Sequence, residues 1–221
     1  MLTRPIGNLV LSRYEWALQC LQRTPRPSVV FDIGAGNGYM KAPLEARGCS
    51  WYGFDIAPTA SNIRIWNLIA PCPETVVRPD VVLLLDVVEH LANPGIGLAN
   101  IREVLSPGGW LVMTMPNPRW SRSRISALLY GDLAAFTQSD LDLNGHVFTP
   151  WPHVMNKMLI DAGFKVEEYS TLDGRTEWPG HPISIRYPLR MLSAIASKVI
   201  EYSDPSACGF SYGLLARVQV Q

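Results

Sequence analysis

Charge is scarce in this sequence of 221 residues: 17 % are charged, and 19 basic residues balance 19 acidic ones. Zero net charge removes the simplest electrostatic route to nucleic acid or to a membrane surface, leaving only a local patch. No apolar run approaches the ~20 residues of a membrane span. The opening MLTRPIGNLVLSRYEW is interrupted by Asn8, Ser12 and Arg13 and does not read as a signal peptide. The four cysteines (Cys20, Cys49, Cys72 and Cys208) are scattered with no C-x-x-C pair. They read as reduced thiols of a cytoplasmic protein rather than a disulfide framework. The four histidines are not spaced as ligands either, so no metal is expected. There is no internal repeat and no low-complexity segment.

Hydrophobic residues make up 48 % of the chain, enough for a sizeable core. The apolar runs are short and alternate with helical patterns. Strands are expected over 28–33, 50–56, 62–68, 79–86 and 110–116, and helices over 5–24, 38–48 and 94–105. PDVVLLLD is the clearest buried strand, wholly apolar between two aspartates. Such alternation specifies an α/β fold with a parallel sheet. After Pro116 the pattern breaks: 117–149 reads as polar, arginine-bearing and irregular. A helix from Trp151, strands over 165–172 and 210–220, and an amphipathic helix over 186–202 follow. The chain is expected to be one domain over 1–221, with an N-terminal helix in 1–27, a main half in 28–116, and a cap from 117–149 and 173–205.

The loop after the first strand, VVFDIGAGNGYM, carries Gly34, Gly36 and Gly38 at alternate positions, with Ala35 between the first two and Asp32 just before them. A dinucleotide loop needs G-x-G-x-x-G, and the place of its third glycine is held by Tyr39. No G-K-[ST] follows, which excludes a P-loop. Backbone N–H groups at a helix start suit an anion or polar group. Asp32 adds negative charge, repelling a pyrophosphate and suiting a cation. Asp55, at the end of the second strand, is placed to accept hydrogen bonds from a ribose diol, or to cap the segment after Ile56.

VFDIGAGNG, GFDIAP, PDVVLLLDVVEHL and REVLSPGGWLVMTMPNP, in that order, resemble the class I S-adenosylmethionine-dependent methyltransferases. The nearest subgroup is the ubiquinone-biosynthesis-like O-methyltransferases and their small-molecule relatives. The likeness covers about residues 28–169. It implies a Rossmann-like, doubly wound, mostly parallel seven-stranded sheet with helices on both faces and a small cap. It also implies S-adenosyl-L-methionine as cofactor, with its methionine part on Asp32, Gly34, Ala35, Gly36 and Gly38. The ribose would lie on Asp55 beside Ile56, the adenine against Asn67 and Leu68, and the sulfonium end beside Asp86 and Val87. Asn67 departs from the aspartate often found there.

For a general base the resemblance offers His146 and His90; each also reads as a structural histidine, and both readings stay open. The expected acceptor is a small molecule methylated on oxygen. Arg119, Arg122 and Arg124 beside Trp120 could receive an anionic group on it, or form a solvated loop. Zero net charge and the lack of an N-P-P-Y-type motif weigh against nucleic acid or protein as substrate. A non-catalytic cofactor-binding protein is a third reading. No membrane partner is expected, and the oligomeric state is left open. One gap stands out: only APTASN separates Ile56 from Ile63, where relatives place a full helix. That helix is lost or reduced to a turn, or the third strand pairs in another way.

Overall fold

The computed structural model describes residues 11–24, 29–73, 77–180 and 187–219; the part of the expected first helix before Leu11, and residues 181–186 of the expected cap, lie outside them. Seven strands form one sheet in the order β3-β2-β1-β4-β5-β7-β6. They are β1 (Val29–Ile33), β2 (Ser50–Asp55), β3 (Ile63–Ile65), β4 (Val81–Leu85), β5 (Trp110–Pro116), β6 (Phe164–Thr171) and β7 (Ser211–Val218). The first five pair in parallel, whereas β7 runs antiparallel to both β5 and β6. The sheet is therefore mixed. All five residues of β4 are buried, as expected of a central strand covered on both faces.

Helices cover both faces. α3 (Pro94–Val104) and α6 (Pro152–Asp161) place Leu98, Ile101, Met155 and Leu159 in a core with Phe31, Phe54 and Phe164. On the other face, α1 (Arg13–Arg23) and α2 (Lys41–Glu45) bring Trp16, Leu21 and Leu44 against Val30, Leu83 and Val112. Ser12 and Glu15 form a capping box that starts α1. The helix expected over 38–48 is reduced to α2; residues 37–40 are turns, and Pro43 lies within the helix.

One expectation needs correction, and one open alternative closes. Residues 117–149 are not irregular: they hold α4 (Ser121–Tyr130) and α5 (Gln138–Asn144), both closed by left-handed glycines, Gly131 and Gly145. α7 (Tyr187–Ser203) packs against α4. The gap between the second and third strands resolves as the first alternative. β3 pairs in parallel with β2, and residues 56–62 are turns and bends with no helix. β3 is also shorter than 62–68. Trp66 N still donates to Asp55 O at 2.9 Å, but Asn67 Oδ1 then accepts from Ile69 N at 3.3 Å and turns the chain.

Candidate active site

The sheet changes direction between β1 and β4. From there the chain progresses outward to β2 and β3 on one side and to β5 on the other. The loops leaving the carboxyl ends of β1 and β4 meet at this switch point, where open α/β sheets bind ligands.

The glycine loop is built for close approach. Gly34 N and Ala35 N both donate to Phe54 O, at 2.8 and 3.0 Å, holding the loop flat on the end of β2. Gly34 has φ +73°, and a Cβ there would stand 2.3 Å from Val87 Cγ2. Gly36 N donates to Asp55 Oδ2 at 2.9 Å, while Asp55 Oδ1 accepts from Ala57 N at 3.0 Å. Thr59 Oγ1 donates to Gly36 O at 2.8 Å. The short link after β2 thus latches the glycine loop and fixes the Asp55 carboxylate.

Two cavity arms meet at Gly34, Asp86 and His90. The first, of about 320 Å³, is lined by Asp55, Ile56, Trp66, Asn67, Leu68 and Val87. Ile56, Leu68 and Val87 give it apolar walls, and Asp55 and Asn67 give it polar edges. The second, of about 580 Å³, is lined by Arg13, Tyr14, Asp32, Glu89, His90 and His146 together with Ala35 and Gly36. Every residue proposed from sequence for the cofactor lines one arm or the other except Gly38. Gly38 N instead donates to Ala35 O at 2.8 Å and its carbonyl accepts from Lys41 N at 3.0 Å, bracing the loop from behind.

Asp32 is buried on β1 and accepts from Trp51 Nε1 at 3.1 Å. Burial pushes its pKa up to about 6, the Trp51 hydrogen bond opposes this, and the charge of Asp55 adds to the rise. Near neutral pH it is a carboxylate whose negative charge a cationic ligand would stabilise. Because the folded pKa exceeds the ordinary 3.8, its contribution to stability is whole below that value and is lost as pH rises through about 6. Asp32→Asn is therefore expected to stabilise the ligand-free protein at pH 8 by up to about 2 kcal/mol, with the gain vanishing towards pH 4. Melting curves across that range check it; a gain that does not change with pH removes this assignment.

Asp86 adopts φ 53° and is held from both sides. Its Oδ1 accepts from Thr114 Oγ1 at 2.7 Å, and its Oδ2 pairs with Arg13 from α1. Glu89 is buried beside it. Burial first, then the Asp86 charge, pushes the Glu89 carboxyl up to about 8, and its Oε2 has no hydrogen-bond partner among the described residues. Glu89 O accepts from both Val147 N and Phe148 N, at 2.9 and 3.0 Å, which docks the segment after α5 onto the turn after β4. That docking brings His146 to His90, with ring centroids 5.0 Å apart.

The His146 tautomer follows from its partner. Its Nδ1 lies 2.6 Å from Ala135 O, a carbonyl that can only accept. Nδ1 therefore carries the proton and Nε2 the lone pair. The His90 pKa is lowered, first by loss of solvent around the ring and then by His146, so His90 stays neutral at physiological pH. Glu89, His90 and His146 each bring one ligand atom within 4.8 Å of the others. Spacing along the chain gave no sign of this cluster, since it is assembled by the docking of α5 against the β4 turn.

Sequence reasoning missed Arg13, Tyr14 and Glu89 as cavity residues. Tyr39, in the place of a third dinucleotide glycine, stacks on Tyr14 with centroids 5.1 Å apart. Arg119, Arg122 and Arg124, read from sequence as either a solvated loop or a site for an anionic group, line neither arm. Arg124 pairs with Asp204, and Arg122 lies over the Trp120 ring at 5.2 Å.

The profile of the methyltransferase domain family matches residues 13–169. A ubiquinone biosynthesis O-methyltransferase of a Bradyrhizobium species is 32 % identical over 157 residues, 64 % of this chain and 60 % of that protein. One of Cereibacter sphaeroides is 34 % identical over 103 residues, 40 % of this chain and 41 % of its own length. The chain thus matches less than two thirds of either relative. In fold it is similar to a methyltransferase of Archaeoglobus fulgidus, with a TM-score of 0.61 at 20 % identity, covering 93 % of this chain and 94 % of that one.

Proposed function

The chain belongs to the class I S-adenosylmethionine-dependent methyltransferases, and from that membership we propose that it methylates an oxygen of a small-molecule acceptor. The observation that carries this reading is the angled cavity. One arm has apolar walls and a fixed carboxylate, as a nucleoside requires; the other carries a buried carboxylate and two histidines. Both pass over a loop that a single added Cβ would block. The names of the two curated relatives support oxygen as the atom methylated.

When bound, S-adenosylmethionine supplies a methyl group on a positively charged sulfur that leaves readily. The residues present suit such a group. Asp55 would accept from the ribose hydroxyls, Asn67 and Leu68 would border the adenine, and Asp32 would face the positive charge. What remains for the protein is alignment and removal of one proton. His146 is the better placed base, because Ala135 O fixes the proton on Nδ1 and leaves Nε2 to take one from an acceptor hydroxyl. His90 buttresses it. The acceptor enters from the cap side, between α5 and Phe210. An anionic group on it would meet Arg13 rather than the cap arginines.

The test is calorimetry with S-adenosylmethionine and S-adenosylhomocysteine, followed by a screen of acceptor classes with labelled methyl donor. Absence of binding by the wild-type protein would overturn the reading. Asp55→Ala is expected to weaken binding by about 1–3 kcal/mol through lost ribose hydrogen bonds and a freed glycine loop. An unchanged dissociation constant removes Asp55 from the site.

A further inference from the structure

Residues three and four apart share one face of a helix. On α7 such a face holds the buried Ala194, Ser197 and Glu201. Continued towards the start of the helix, it reaches Arg190 and Tyr187, and there the close packing stops. These two residues and Ser193 wall a cleft of about 750 Å³, together with Arg122 of α4 and Trp178 of the segment after β6. The cleft shares no described residue with either arm of the active site.

One buried charge ties its three walls together. Glu201 of α7, 2 % exposed, accepts from Ser121 Oγ at 2.8 Å and from Thr176 N at 3.1 Å. The first bond fixes the residue next to Arg122, and the second fixes the chain two residues before Trp178. Moving any wall would strip a buried carboxylate of a donor. The side chains that line the cleft are held as well. Lys198 donates to Thr176 O at 2.7 Å and lies 4.7 Å from the centre of the Trp178 ring, covering one of its faces. Trp178 still exposes 57 % of its surface, so a second ring can stack on it. Arg122 rests 5.2 Å from the centre of the Trp120 ring, which meets Phe210 edge-on with centroids 5.4 Å apart. Among the described residues neither Arg122 nor Arg190 pairs with a carboxylate, and Glu177 is the only acid of the cleft.

We propose that this cleft binds a small ligand that joins a flat aromatic ring to a phosphate, the chemistry of a nucleoside monophosphate. The open face of Trp178 takes the ring, and the guanidinium groups of Arg122 and Arg190 take the phosphate. The volume suits a ligand of that size. Phosphate alone would leave the fixed indole unused. An uncharged ring would leave two guanidinium groups without an anion. The site is independent of methyl transfer.

The test is calorimetry on the full chain with adenosine monophosphate, run with S-adenosylhomocysteine in excess so that the nucleoside arm is already filled. Adenosine and inorganic phosphate are titrated in parallel. The nucleotide is expected to bind at least ~10-fold more tightly than either, because ring and anion are held at once. Trp178→Ala should weaken it about 10-fold through lost stacking, and Arg190→Glu at least ~10-fold through a lost charged hydrogen bond. Both residues are exposed and line neither arm, so an unchanged melting temperature shows that the variants are folded. Should S-adenosylhomocysteine itself not bind, the two variants alone still decide where the nucleotide sits. Four results overturn the proposal. They are no binding of the nucleotide by wild type, its displacement by S-adenosylhomocysteine, adenosine or phosphate bound as tightly, and an affinity that neither variant changes.

Discussion

Gly34→Ala is expected to weaken binding of S-adenosylhomocysteine at least ~100-fold, about 2.7 kcal/mol. The added Cβ would meet Val87 Cγ2 at 2.3 Å. Valine cannot swing clear, because its β-branch is stiff, so either the loop lifts from Phe54 O or Val87 moves into the nucleoside arm. The left-handed φ adds about 1 kcal/mol of its own for alanine. Gly36→Ala is the matched comparison: it also has positive φ, but its Cβ would meet no protein atom within 4 Å. Its melting temperature should therefore fall less than that of Gly34→Ala. Calorimetry on folded Gly34→Ala decides the point; a dissociation constant within threefold of wild type means that the loop is not the cradle.

For His146→Ala, kcat is expected to fall about 10²- to 10⁴-fold, the range for a lost general base. Cofactor affinity should barely move, since the residues proposed for the cofactor lie in β1, β2 and the segments after β1 to β4 rather than in the segment after α5. His90→Ala should cost less of kcat than His146→Ala, because His90 only buttresses the ring that takes the proton. Should His90→Ala cost more, the roles exchange.

Most of the sheet was legible because each parallel strand is a short apolar run between turn residues; PDVVLLLD could hardly be read otherwise. The Gly34 loop and Asp55 were legible because both are local consequences of strand ends. The helices of 117–149 were not, and α4 shows why. Its SRSRISALLY buries Ser121 and Ser123 and exposes Leu128, Leu129 and Tyr130, so polarity read as loop where it is the packed face. α5 carried a readable signal, the capping box of Thr137 and Asp140, obscured by the lack of any buried residue in that helix. Arg13 and Glu89 were hidden for another reason. Arg13 meets Asp86 only after α1 folds across the sheet, and Glu89 has the chain context of any solvated acid after a strand. Chain order likewise says nothing of a strand inserted between two earlier ones.

That inserted strand sets the order in which the molecule can be completed. β7 follows β5 and β6 in the chain yet lies between them, pairing along its length with both. During synthesis, β1 to β5 can assemble as they emerge, while β6 has no place to dock until β7 has left the ribosome. Until then β5 presents an open edge, the kind that recruits another chain. Closure of the sheet is thus a late, long-range event, and its success depends on residues remote in the chain from the glycine loop and Asp55. Substitutions within Ser211–Val218 should lower the yield of folded protein more than the activity of the molecules that do fold.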